Sequence, residues 1–91
     1  MSTFLIGYDL NKSGQDYTSL IDKIKQISGG TWAHVLDSTW IIKSNSTCVA
    51  IRDSLLQEMD NNDEILVIDI SGDAAAWVLM TDVSNWVTQN L

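Results

Sequence analysis

The chain has 91 residues, 45% hydrophobic and 19% charged, with twelve acids against five bases for a net charge of −7, one cysteine and no proline. That length makes one domain, residues 1–91, which buries roughly 60–65% of the surface its unfolded form exposes. These totals exclude an internal disulfide and a membrane span of about 20 apolar residues, and they oppose loose binding to phosphate backbones, which rests on Lys and Arg releasing counterions.

The N-terminal stretch MSTFLIGYDL lacks the positive n-region of a signal peptide, so a cytoplasmic location is expected. Residues 3–9 are rich in strand formers, with Phe4, Ile6 and Tyr8 on one face and Leu5, Gly7 and Asp9 on the other. LNKSGQD follows as a loop in which Ser13, Gly14 and Asp16 are turn and cap signals. Tyr17, Leu20, Ile21, Ile24 and Ile27 then form one stripe of an amphipathic helix, stopped by Ser28-Gly29-Gly30. Two short antiparallel strands are predicted at 31–36 and 39–44, joined tightly at Asp37-Ser38. NSTCVAIRDSLLQEMD opens with capping residues and carries a second helical stripe, Cys48, Ile51, Leu55 and Met59. Residues 61–63 read as a turn, 64–71 as the clearest strand, and 82–90 as a short C-terminal helix with Val83, Trp86 and Val87 on its apolar face.

The resulting β-α-β-β-α-β order with a tail predicts an α+β, ferredoxin-like sandwich: a four-stranded antiparallel sheet with both central helices on one face, core 3–71, tail 72–91. Residue parity adds a constraint. Ile65 and Val67 point one way and Leu66, Ile68 and Ile70 the other, while Trp40 and Ile42 oppose Ile41. A sheet wet on one side alternates apolar and polar residues, and these strands do not. The second face therefore needs a cover, either the chain's own tail or another copy, because several hundred Å² of bare sheet at about 25 cal/mol per Å² is costly in water.

Three stretches carry a family likeness: IGYDLN (6–11), VLDSTWII (35–42) and MDNNDEILVIDI (59–70). With their layout they resemble the CRISPR-associated protein two family and its relatives, the virulence-associated protein D toxins. The resemblance spans about residues 3–71. It implies a homodimer formed through the sheet, a scaffolding role beside DNA, and in some members a metal-dependent nuclease. On that analogy Asp9 is carried over as a catalytic metal ligand, paired with its copy across the dimer axis. The chain departs from the family at Asp37, where Gln is common, in its sparse Arg and Lys, and in the tail beyond residue 72.

On the residues alone, the end of the first strand, the 37–38 junction and the start of the last strand share one end of the proposed sheet. Asp9, Asn11, Asp37, Asp63 and Glu64 are then neighbours, a hard-oxygen set suited to Mg²⁺ or Mn²⁺, with Asp9 and Asp37 the candidate ligands. The bland alternative is that acids gather at loop ends because loops are solvated. His34, the only histidine, reads as structural or surface rather than as a general base. Cys48 reads as a core residue. The tryptophans lack the basic groove that base stacking uses, so core and contact roles are expected, with Trp77 and Trp86 as dimer contacts. Asp69 sits among apolar residues and needs either water or a donor.

Three functions follow as expectations. The first is a homodimeric interaction or scaffold module with no catalysis of its own, for which a protein partner is expected. The second is a Mg²⁺- or Mn²⁺-dependent endonuclease using Asp9 from both protomers. The third is an acidic inhibitor mimicking nucleic acid, at twice −7, or −14, per dimer.

Overall fold

The computed structural model describes residues 1–10, 17–73 and 75–91. The turn and cap signals at Ser13, Gly14 and Asp16 lie outside the described residues. Strand β1 (Ser2–Asp9) buries Phe4, Ile6 and Tyr8 on one face, as its period of two requires. Helix α1 (Thr18–Ile27) turns Leu20 and Ile24 fully inward and half-buries Ile21 and Ile27. It ends at Ser28, whose hydroxyl donates to the Lys25 carbonyl (2.6 Å) and accepts from Gly30 N–H (3.2 Å). Gly29 and Gly30 follow at φ +60° and +95°, a backbone region that side-chain-bearing residues rarely adopt.

Strands β2 (Trp32–Leu36) and β3 (Thr39–Ser44) pair antiparallel about the Asp37-Ser38 turn, with a register shift between His34 and Leu36. Helix α2 (Cys48–Leu56) starts at Thr47, whose hydroxyl accepts from Ala50 N–H (3.2 Å), the cap expected from its opening residues. It buries Ile51 and Leu55, while Cys48 and Met59 pack half-buried against the same core. Strand β4 (Glu64–Asp69) and helix α3 (Thr81–Asn90) complete the chain.

Among the described residues the sheet is four-stranded, antiparallel and open, in the order β2-β3-β1-β4. With the three helices described beside it, the molecule is α+β. Phe4, Ile6, Tyr8, Trp40 and Ile42 on the front of the sheet pack against Leu20 and Ile24 of α1 and Ile51 and Leu55 of α2. Trp40 buries its indole at 1% exposure and donates its N–H to the Tyr8 hydroxyl at 3.0 Å, so the core carries a satisfied polar pair.

The second face is covered in part, and by the chain itself. Residues of the tail, among them Trp77, Leu79, Val87 and Leu91, share an apolar crevice with Leu5, Val35 and Ile41. Ala33, Ile41 and Val87 are buried. Thr3, also buried, fastens three elements together. Its N–H donates to the Ser71 hydroxyl (2.8 Å) and its own hydroxyl donates to the Asn90 carbonyl at the end of α3 (3.3 Å). The cover stops short of the β4 side, where Leu66 stays 57% and Ile68 42% exposed. No helix among the described residues is long and apolar enough to cross a membrane.

Candidate functional site

Asp9 is the last residue of β1 and stands directly opposite Glu64, the first residue of β4, because the antiparallel register runs from Phe4↔Asp69 to Asp9↔Glu64. Both are exposed. Together with Gly7, Tyr8, Ser38 and Thr39 they border a shallow cleft across the end of the sheet. Asp9 also borders a second cleft with Leu10, Ile21, His34, Asp37 and Ser38. Asp9 thus shares one cleft with Glu64 and another with Asp37, at the end of the sheet where the topology puts them.

The other members of the expected set separate. The Asp63 carboxylate accepts from the Tyr17 hydroxyl (3.1 Å) and from Asp60 N–H (2.9 Å), so it braces the turn before β4 against the start of α1. Asn11 lies outside the described residues. Among the described residues, no group of three or more His, Cys, Asp or Glu side chains comes together to hold a metal. The donors that one protomer offers at the cleft are thus carboxylates in ones and twos. Such a set suits an ion like Mg²⁺ that keeps most of its waters, and not a closed protein cage. No described Lys or Arg borders either cleft. The local field therefore repels phosphate unless a cation reverses it.

His34 lies at the second cleft, a placement that β2 and β3 create by pairing it with Trp40. Its ring stacks on the Trp40 indole at 4.0 Å and 11°. Nε2 lies 2.9 Å from the Asp37 carbonyl. A carbonyl only accepts, so that nitrogen carries the proton and the ring is held as a clip over the turn. Ser38 and Thr39 also line the first cleft; from the sequence Ser38 reads only as half of the Asp37-Ser38 junction and Thr39 only as the start of the next strand, and the signal for both is that this junction lands beside the end of β1, where Tyr8 N–H donates to the Ser38 carbonyl (3.1 Å).

Trp77 and Trp86 are used within the chain. The Trp77 indole donates to the Ser84 hydroxyl (3.0 Å), and the ring remains 38% exposed. Trp86 is half-buried and borders a groove with Trp32, Ala33, His34, Asp82 and Val83, at the β2 edge. Trp32 itself packs on Trp40 at 5.2 Å and carries Lys25 Nζ 4.8 Å over its ring. Asp69 resolves as the end of β4, exposed. Hydrogen bonding from Ser71, side chain first and then backbone, lowers its pKa below the ordinary carboxylate value.

No protein-family model matches the chain, and neither does any curated protein.

Proposed function

We propose that the chain is an interaction or scaffold module that works as a homodimer without catalysis of its own, on a ferredoxin-like fold related to the CRISPR-associated protein two family. The observation that carries the reading is the half-covered back face: the tail protects one side of it, yet Leu66 and Ile68 lie open beside Leu5 and Gly7. Exposed apolar area of this kind marks contact surfaces. The ferredoxin-like trace is supported by the order β2-β3-β1-β4, in which α1 links two strands flanking β3 and α2 links two strands flanking β1. The expected outcome is a dimer mass in sedimentation at micromolar protein, reduced to a single chain by Leu66→Glu with Ile68→Glu. A wild type that sediments as one chain throughout that range overturns the dimer.

A second reading, an endonuclease using Mg²⁺ or Mn²⁺, is favoured by one observation: Asp9 and Asp37 border the same cleft with no described cation beside them. The metal would polarise phosphate and activate water. Cleavage of RNA or DNA in Mn²⁺ that disappears in Asp9→Ala supports this reading; purified protein that cuts nothing with either metal removes it.

A further inference from the structure

The two edges of the sheet are finished differently. The β2 edge has a register shift at His34/Leu36 and borders α3 residues Asp82, Val83 and Trp86 across a groove. A register shift is a device that keeps a strand edge from pairing. The β4 edge has none, although it too borders a helix across a groove, with Cys48, Val49 and Arg52 of α2 beside Ile65, Leu66 and Val67. Its pairing with β1 is regular from Asp69 to Glu64, it contains no Lys and no Pro, and no further strand lies beyond it among the described residues.

The direction of its backbone groups follows from one bond. Ile70 N–H donates to the Thr3 carbonyl (2.8 Å), so alternation along the strand turns Ile68, Leu66 and Glu64 toward β1. The N–H and C=O groups of Ile65, Val67 and Asp69 therefore point outward. Beside them, Cys48, Val49 and Arg52 of α2 form a groove with Ile65, Leu66 and Val67, and Val49 is 57% exposed. Leu66 and Ile68 offer apolar surface on the opposite face. An added strand would thus find hydrogen-bonding groups in a row and apolar ground for alternate side chains on both faces.

Charge selects the occupant. Glu64 and Asp69, both exposed, mark the two ends of the strand. Among the described residues that border this groove, the one cation, Arg52, is ion-paired with Asp53 at 2.9 Å. A second copy pairing antiparallel with β4 about Val67 would bring Asp69 against Ile65 of its twin, next to the twin's Glu64, and crowd four carboxylates along one edge. A segment with basic ends meets those same carboxylates favourably. We propose that the open edge of β4 is a strand-addition site for an extended segment of another protein, apolar at alternate positions and carrying Lys or Arg at both ends. The outward backbone groups of β4 are distinct from the side-chain contact of the proposed homodimer, although Leu66 and Ile68 border both.

The test uses the full chain and a synthetic peptide of alternating valine and threonine closed at each end by lysines, with a glutamate-ended version as control. The lysine-ended peptide is expected to bind about tenfold or more tightly than the control and to slow amide exchange at Ile65, Val67 and Asp69. Glu64→Lys, an exposed change, should narrow or reverse the preference. Val67→Pro, whose lost N–H makes no bond within the sheet, should abolish binding while circular dichroism reports an intact fold. Equal binding of the two peptides, or exchange at the three amides unaffected by peptide, overturns the proposal. So does exchange at those amides that slows with protein concentration alone, since a second copy then occupies the edge. Sedimentation reads the homodimer independently, so either idea can fail without the other.

Discussion

Tyr8 and Trp40 are where one atom decides most. The Tyr8 hydroxyl is the acceptor for an indole N–H at 1% exposure. Tyr8→Phe keeps the ring and strands the donor, and an unsatisfied buried donor costs about 1–3 kcal/mol. The urea midpoint should fall with an unchanged slope. Asp69 sets a second residue-scale expectation. Its pKa is lowered in the folded chain, first by the Ser71 side chain and then by its backbone. The stabilisation is therefore present above the unfolded-state value and is lost as pH falls through the lower folded value. Asp69→Asn should remove that part of the acid sensitivity, visible as a shallower decline of thermal midpoint at acidic pH. From the sequence, Asp69 could be seen to need either water or a donor, but not which. The donor comes from Ser71, two residues on, once the strand ends and the chain bends back.

At the scale of elements, the stripes in α1 and α2 were readable because helical periodicity is a local property: Leu20, Ile24, Ile51 and Leu55 all reach the core as their spacing requires. The hairpin at Asp37-Ser38 and the glycine stop after α1 were equally local. The tail was not. Its residues 75–80 have no repeating pattern, and only α3 announces itself. What holds it is one deeply buried side chain, Val87 at 1%, with the Thr3–Asn90 bond nearby. Val87→Ala should cost on the order of 1–3 kcal/mol, read as a lowered thermal midpoint, and should raise exchange along α3 more than along β3. Trp77 and Trp86, expected at an interface between copies, also make contacts within their own chain, Trp77 with Ser84 and Trp86 beside Trp32 and Ala33.

Across the whole molecule, charge is the dominant long-range quantity. A chain at −7 repels its twin, and that repulsion acts over about 8–10 Å at physiological salt. The proposed homodimer, held by apolar contact at Leu66 and Ile68, should therefore tighten as sodium chloride rises from low to physiological concentration, measured by sedimentation. Contact dominated by opposite charges would loosen instead. The same field opposes nucleic acid at the Asp9 cleft, so the endonuclease reading depends on a cation there.

The sequence by itself determined the order of strands and helices, the residues of the front core and the need for a cover on the back of the sheet. These follow from periodicity and parity, which each segment carries without reference to the others. Only the tertiary structure decided that the tail supplies that cover and stops before β4, that Asp9 faces Glu64 while Asp63 turns to Tyr17, and that β4 is an edge strand with regular pairing to β1 and no further strand beyond it among the described residues. Those outcomes depend on register between distant segments and on how far a short tail reaches over a twisted surface, and neither is a property of any one stretch of chain.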